Sequence, residues 1–205
     1  MTRGVAQREA TAVAVDSTDR VFVFNRGNLP IIVFDADGNC LNTWGNDTPG
    51  RGTENIPSSG TTQPTINRWI GSEFMRPHAI TIDHEDNLWL VDDDANVITK
   101  CDREGNRLMM ILPEGVVLTE ATDIEKMKGK GAPAPPTNSG RMFNRPTDIA
   151  VHPETGDLYV SDGYGNNVVH RLRSDGSHIS TWGAQIPKCL RLLSRFFELQ
   201  ACCCV

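Results

Sequence analysis

Hydrophobic and polar residues alternate along this chain in short runs, and the runs recur in the same order three times. The copies span residues 11–45, 78–111 and 147–183. Each copy begins with an apolar run (AVAVD, AITID, DIAVH) and continues with a run rich in β-branched and aromatic residues (RVFVF, NLWLV, DLYVS). Two further runs complete each copy. Alternation with a period of two is typical of strands with one buried face, so the pattern predicts four short strands per copy.

The residues between these runs predict tight turns. The third and fourth runs are separated by Asp-Gly or Glu-Gly, which supply the positive φ that hairpin turns require. Matching positions carry the same residues in different copies: Gly38, Gly105 and Gly176 in this turn, and Trp44-Gly45 and Trp182-Gly183 after the fourth run. A four-stranded antiparallel unit that repeats with such turns is a blade of a β-propeller. We therefore predict an all-β propeller fold with about three blades in residues 1–183.

Two long segments separate the copies. Residues 46–73 and 112–142 are rich in Gly, Pro, Ser and Thr, so we expect them to be loops that join one blade to the next. Such loops either border a ligand site above the propeller or are plain surface excursions. Their composition fits both interpretations equally well.

The tail at 184–205 departs from the repeat. Its leucines and phenylalanines fit a helical spacing, with basic residues between them. Three of the six cysteines are consecutive, at Cys202, Cys203 and Cys204, and cysteines beside a basic apolar helix are candidates for lipid attachment. The favoured interpretation is an accidental end, from an alternative exon, a shifted reading frame or a truncated gene model, because the match to the repeat lapses abruptly. Cys40 and Cys101 lie at non-equivalent blade positions, so no disulfide framework is predicted.

Composition and charge exclude several classes of partner. Twenty basic and twenty-six acidic residues give a net charge of −6, whereas nucleic acids and anionic membranes select concentrated positive charge. No apolar run approaches the roughly 20 residues of a membrane helix. The first twenty residues lack the apolar core of a secretory signal. We expect a soluble chain without a nucleic-acid partner or a transmembrane segment, and the sequence does not assign a compartment.

Four segments of the chain resemble a known family. In chain order they are FNRG (24–27), RPHAITID (76–83), FNRPTD (143–148) and SDGYGN (161–166). The copies resemble NHL repeats, and the four segments resemble the peptidyl-α-hydroxyglycine α-amidating lyases in order and spacing. That family forms a six-bladed propeller, so the resemblance implies about three of six blades. The family cleaves peptidyl-α-hydroxyglycine to a peptide amide and glyoxylate, and it uses zinc held by three histidines and a calcium ion in the propeller.

The resemblance gives roles to three residues. His78 matches a zinc ligand, Tyr164 matches the tyrosine that takes the proton of the substrate hydroxyl, and Arg26 matches an arginine that steadies the substrate and the tyrosine's negative charge. The family's other zinc histidines and its calcium-binding aspartate belong to later blades that this chain lacks. Catalytic zinc sites normally have three protein ligands, and one imidazole does not hold the metal. We therefore expect this chain alone to be inactive or nearly so.

Other interpretations of these residues stay open. His78 could be a channel-facing histidine bonded to backbone, Tyr164 could cap a blade, and Arg26 could pair with a surface acid. The chain would then be a non-catalytic scaffold that binds a protein or a small ligand. The lyase resemblance implies instead a peptide or small-molecule substrate. Two chains could also associate through their open blade edges to complete a ring. The family's paired cysteines correspond to Asn144 and Gly165, so the disulfide that the resemblance would imply is missing.

Two further groups of polar residues are interpreted as structural or solvated. The other histidines lie in turns or on outer strands: His84, His152, His170 and His178. The consecutive aspartates at 92–94 could attract a cation. Because Asp92 is the repeat's ordinary turn residue, however, we expect a solvated turn there.

Overall fold

The computed structural model describes residues 9–27, 29–45, 53–56, 66–69, 74–120, 123 and 142–183. Within these residues, the three sequence copies form three antiparallel sheets, which we call blades 1, 2 and 3. Blade 1 consists of β1 (Ala10–Val15), β2 (Val21–Asn25), β3 (Ile31–Phe34) and β4 (Cys40–Trp44). A separate hairpin follows, with β5 (Thr53–Ile56) and β6 (Ile66–Trp69).

The second and third blades repeat this order. Blade 2 consists of β7 (Pro77–Ile82), β8 (Leu88–Asp92), β9 (Val97–Cys101), β10 (Arg107–Ile111) and β11 (Val117–Leu118). Blade 3 consists of β12 (Asp148–Val151), β13 (Leu158–Asp162), β14 (Val168–Leu172) and β15 (His178–Trp182). The predicted all-β propeller fold is therefore confirmed, with the four predicted strands in each blade and a fifth strand, β11, in blade 2.

The structure differs from the sequence-based expectation in the two long segments. Strands β5 and β6 pair within the segment 46–73, and β11 adds a fifth strand to blade 2 within the segment 112–142. Gly115 has a φ of +78° and reverses the chain after Leu112, which lets Val117 and Leu118 return beside β10. The loop expectation is wrong for these strands. The tail at 184–205, with its predicted helix and cysteine cluster, lies outside the described residues.

Successive blades pack face to face through apolar clusters. Neighbouring residues of a strand point to opposite faces of its sheet, so β8 contributes to both joints between blades. Residues of the second strand of one blade cluster with the second strand of the next: Phe22 and Phe24 with Leu88 and Leu90 in the first joint, and Trp89 and Val91 with Leu158 and Val160 in the second. Full burial of these side chains supplies most of the driving force that holds the blades together.

The first strands of the three blades lie side by side, with β7 between β1 and β12. This arrangement brings the N-terminal end of β7 next to the residues that precede β12. None of the described residues belongs to a helix that is long and apolar enough to cross a membrane. The end of the propeller where β7 begins carries the residues that the sequence singles out.

Candidate functional site at the N-terminal end of strand β7

His78 occupies a β-bulge at the start of β7. Pro77 pairs with Asp92 and Ala79 pairs with Val91, so His78 is the extra residue between two ladder positions. Its Nδ1 lies 2.6 Å from the carbonyl oxygen of Thr147 in blade 3. Because a carbonyl oxygen only accepts, Nδ1 carries the proton and the lone pair of the neutral ring is on Nε2.

Tyr164 faces that lone pair. The Tyr164 hydroxyl lies 3.2 Å from His78 Nε2, so the hydroxyl donates to the imidazole. The two rings meet edge to face, with centroids 5.5 Å apart. Tyr164 belongs to the loop between β13 and β14, and 53% of the residue is exposed. The resemblance assigns His78 and Tyr164 to the same site, and the fold brings them together from two different blades.

An arginine that the resemblance did not single out lies over the tyrosine ring. The guanidinium carbon of Arg145 is 4.7 Å from the Tyr164 ring centroid, a cation–π distance. Arg145 has a φ of +66°, and its backbone N–H donates to the Asn96 side chain at 2.6 Å. The signal in the sequence was the Arg-Pro dipeptide that Arg145-Pro146 shares with Arg76-Pro77. Its position over Tyr164 depends on contacts between blades, which local pattern does not reveal.

Arg26 lies against the backbone immediately before His78. Its Nε donates to the Pro77 carbonyl at 3.0 Å, and its Nη1 lies 3.4 Å from Glu9. The residue therefore joins the first turn of blade 1 to the bulge of β7. Its expected role beside the substrate stays a prediction, whereas the guanidinium found over the Tyr164 ring is that of Arg145.

The three aspartates at 92–94 are not the solvated turn that the sequence predicts. Asp92 is 4% exposed and its carboxylate accepts backbone N–H groups of Met75, Arg76 and Ala95. Burial raises the pKa of Asp92 to about 6, although these N–H groups oppose the shift. The carboxylate closes the turn from inside, which explains why the aspartate is buried.

Asp93 and Asp94 form the acidic side of an ion-pair network. The Asp93 side chain is fully buried and lies 2.7 Å from Arg145 Nη2 and 3.5 Å from Arg76 Nε. Burial, reinforced by the negative charge of Asp93, raises the pKa of Asp94. The network links Arg145, which lies over Tyr164, to blade 2 and so fixes the position of its guanidinium group.

Asn144 and Gly165, the positions where the resembling family has paired cysteines, are neighbours in the structure. The Gly165 N–H donates to the Asn144 carbonyl at 3.0 Å. A Cβ added to Gly165 would overlap the Asn144 side-chain amide and carbonyl. Asn144 therefore fills the space that a side chain at position 165 would need, and the two residues are matched to each other.

The part of the chain that the structure describes does not fit a zinc site. Among the described residues, no three side chains of the His, Cys, Asp and Glu types are grouped so that they could hold a metal ion. His78 offers one lone pair, and Tyr164 already donates to it. Of the other histidines, His170 and His178 both bond Thr181, and His152 accepts from two backbone N–H groups of its own turn.

Comparison with known proteins shows which families this chain is similar to. A family model described as NHL repeat matches residues 143–172, a range that contains both Arg145 and Tyr164. The chain is 23% identical over 177 residues to peptidyl-glycine alpha-amidating monooxygenase B of Xenopus laevis. The match covers 86% of this chain and 18% of that protein. This chain carries an NHL repeat and resembles the amidating lyases. It is also 27% identical over 186 residues to peptidyl-alpha-hydroxyglycine alpha-amidating lyase 1 of Drosophila melanogaster.

The likeness to amidating lyases covers most of this chain but a small part of its relatives. The match to the Drosophila lyase covers 84% of this chain and 29% of that protein, so the chain spans less than a third of both relatives. Among solved structures, virginiamycin B lyase from Staphylococcus aureus is 18% identical with a TM-score of 0.47, over 86% of this chain and 42% of that one.

Proposed function

We propose that this chain is an amidating-lyase-like propeller whose Tyr164–His78 pair recognises the hydroxyl of peptidyl-α-hydroxyglycine. The observation that supports the proposal most directly is the 3.2 Å contact between the Tyr164 hydroxyl and His78 Nε2. Since Nδ1 is bonded to the Thr147 carbonyl, the only free lone pair of the ring points at the tyrosine. The pair is arranged for a proton to pass between a substrate hydroxyl, the phenol and the imidazole.

The reaction of the resembling family gives each group a defined task. The base takes the hydroxyl proton as the carbon–oxygen double bond of glyoxylate forms, the carbon–nitrogen bond breaks, and the amide nitrogen takes up a proton. In this chain Tyr164 would receive the hydroxyl proton, and His78 would accept the phenol's proton through Nε2. Arg145, held by Asp93, would stabilise negative charge near the ring.

Zinc would act as a Lewis acid in such a reaction, but the described residues supply one imidazole for it. We therefore expect little or no cleavage by this chain alone. Recognition of the hydroxylated peptide does not need the metal, so it is the property that the geometry supports best.

Binding of a peptide that ends in α-hydroxyglycine tests this function. Tyr164→Phe removes the hydroxyl and keeps the ring under Arg145, so it should weaken binding about 2- to 12-fold, the loss of one hydrogen bond. Tyr159→Phe is the matched control, because Tyr159 is the chain's other tyrosine and should leave affinity unchanged. Calorimetric titration measures both. Equal affinity for the same peptide without the hydroxyl would contradict the proposal.

A non-catalytic scaffold is the second candidate, and the absence of a three-ligand metal group among the described residues favours it. Such a scaffold would bind a protein or a small ligand on the same end of the propeller. It predicts no preference for the hydroxylated peptide and no effect of Tyr164→Phe. The titration above therefore separates the two candidates.

A further inference from the structure

A polar bridge closes the joint between blades 1 and 2 at the end of the sheets where β1 and β7 finish. The Asp86 carboxylate accepts the Ser17 backbone N–H at 2.9 Å and the Ser17 hydroxyl at 2.5 Å. Arg103 Nη1 lies 3.4 Å from Asp86 and 3.8 Å from Asp16. One guanidinium group thus joins a carboxylate of blade 1 to a carboxylate of blade 2.

The residues that build this bridge are replaced at the joint between blades 2 and 3. Gly156 takes the place of Asp86, and both have a left-handed backbone, with φ of +71° and +63°. Ser174 takes the place of Arg103, since each lies two residues before the matching hairpin glycine. At these two positions the second joint has therefore neither the carboxylate nor the guanidinium group of the first.

A cleft of about 440 Å³ lies at this place in the second joint. Gly156 and Ser174 form part of its wall, so the two small residues leave the space that an acid and an arginine fill at the first joint. The volume falls in the range of small-ligand sites, about 300–1,000 Å³. Asp83, which follows the last residue of β7, also lines the cleft, whereas His78 lies at the other end of that strand. The cleft is therefore separate from the His78–Tyr164 site.

The lining of the cleft is acidic. Among the described residues it holds four carboxylates and one lysine: Asp83, Glu85, Glu154, Asp175 and Lys100. Lys100 Nζ lies 3.2 Å from the Asp83 carboxylate, and the Trp89 indole N–H donates to the same group at 3.0 Å, so Asp83 is compensated within blade 2. The surplus negative charge therefore lies on the three exposed acids of the lining: Glu85, Glu154 and Asp175.

We propose that this cleft binds a guanidinium group, as carried by an arginine side chain of a peptide. A guanidinium group is the cation that joins two carboxylates at the corresponding place in the first joint. Its planar fork of five N–H donors suits a wall with several carboxylates, whereas an ammonium group is a compact and more strongly hydrated charge. The proposal does not depend on the lyase-like function, because neither His78 nor Tyr164 lines the cleft.

Titration with matched peptides tests the chemistry of the ligand. The probes are the peptide acetyl-Gly-Arg-Gly-amide and the same peptide with lysine or with neutral citrulline in the central position, and backbone amide NMR signals report binding. The arginine peptide should shift the signals of Gly156 and Ser174, the lysine peptide should bind more weakly, and the citrulline peptide should cause no shift. Free arginine should bind more weakly than the arginine peptide, because the acidic lining repels its carboxylate. Tighter binding of free arginine would overturn the assignment to a peptide.

Variants of the lining locate the site. Ser174→Arg places in the cleft the side chain that the first joint has at this position, so it should abolish binding of the arginine peptide. Glu154→Gln removes one exposed carboxylate and should weaken binding about 2- to 5-fold. Glu104→Gln is the matched control, since Glu104 is exposed in the hairpin turn of blade 2 and does not line the cleft, and it should leave the affinity unchanged.

Circular dichroism and thermal melting show whether each variant folds, and Glu154→Gln decides the matter if Ser174→Arg does not. The proposal would be overturned by a wild-type chain that does not bind the arginine peptide, or by equal affinity for the lysine or citrulline peptide. Unchanged binding in a folded Ser174→Arg or in Glu154→Gln would overturn it as well. Equal weakening in Glu104→Gln would do so too, because it would indicate general attraction to an acidic chain.

Discussion

His78 Nδ1 faces a carbonyl oxygen, and this contact determines the chemistry of the ring's other nitrogen. With the proton fixed on Nδ1, Nε2 accepts from the Tyr164 hydroxyl. Arg145 lies over the Tyr164 ring and is anchored by buried Asp93. His78 and Tyr164, which the sequence offered as single candidates, therefore form one hydrogen-bonded pair across two blades.

At the scale of single residues, the Asp92 carboxyl group makes the clearest contribution to the pH dependence of stability. Burial raises its pKa from 3.8 in the unfolded chain to about 6 in the folded one, so folding favours the protonated form. This contribution to stability is complete below about pH 3.8 and is lost as the pH rises through about 6. Its loss should lower the free energy of unfolding by up to about 3 kcal/mol between pH 4 and 7.

Asp92→Asn removes this titration while keeping one carbonyl oxygen for backbone N–H groups. Urea unfolding at several pH values should therefore show a flatter pH dependence in the variant than in the wild-type chain. Asp37→Asn, in an exposed hairpin turn, is the control and should keep the wild-type slope. An unchanged slope in Asp92→Asn would show that the carboxyl titrates normally in the folded chain.

At the scale of elements, each blade is joined to the next by a side chain lying on a turn glycine. Gly105 has a φ of +94° and Gly38 one of +82°, so both turns resist a side chain for the same backbone reason. Only Gly105 is covered in addition by the Trp44 ring. Substituting Gly105 and Gly38 in turn therefore separates the cost of backbone strain from the cost of disturbing the contact between blades.

Gly105→Ala and Gly38→Ala should differ in their cost to stability. Both pay the strain of a left-handed alanine, about 1–2 kcal/mol. Gly105→Ala also forces its Cβ against Trp44, which adds about 1–3 kcal/mol. Denaturant unfolding in dilute solution measures both. Equal destabilisation would mean that Trp44 gives way freely and that the joint is loosely packed.

The strands could be predicted from sequence because each has its own alternating pattern and turn residues, and Leu88 to Asp92 is a clear example. The bulge at His78 could not, since it depends on how β7 pairs with β8. Burial of Asp92 and Asp93 was missed because three adjacent aspartates favour solvent, whereas in the fold backbone N–H groups surround Asp92 and arginines from other segments enclose Asp93. The position of Arg145 over Tyr164 was missed for the same reason.

At the scale of the whole molecule, packing of blade 2 against blade 3 brings His78 and Tyr164 together. The pair contributes one imidazole, whereas catalytic zinc sites normally have three protein ligands. Recognition of a substrate hydroxyl and metal-dependent cleavage are therefore separate questions for this chain.

Glyoxylate release by the metal-reloaded chain tests the lyase-like interpretation most directly. The chain is stripped with a chelator, reloaded with zinc, and supplied with a peptide that ends in α-hydroxyglycine. We expect glyoxylate to appear at the rate of the protein-free control with and without zinc, because the described residues provide one metal ligand. Zinc-dependent glyoxylate release that is lost in His78→Ala would contradict this expectation and show that the chain assembles a working metal centre.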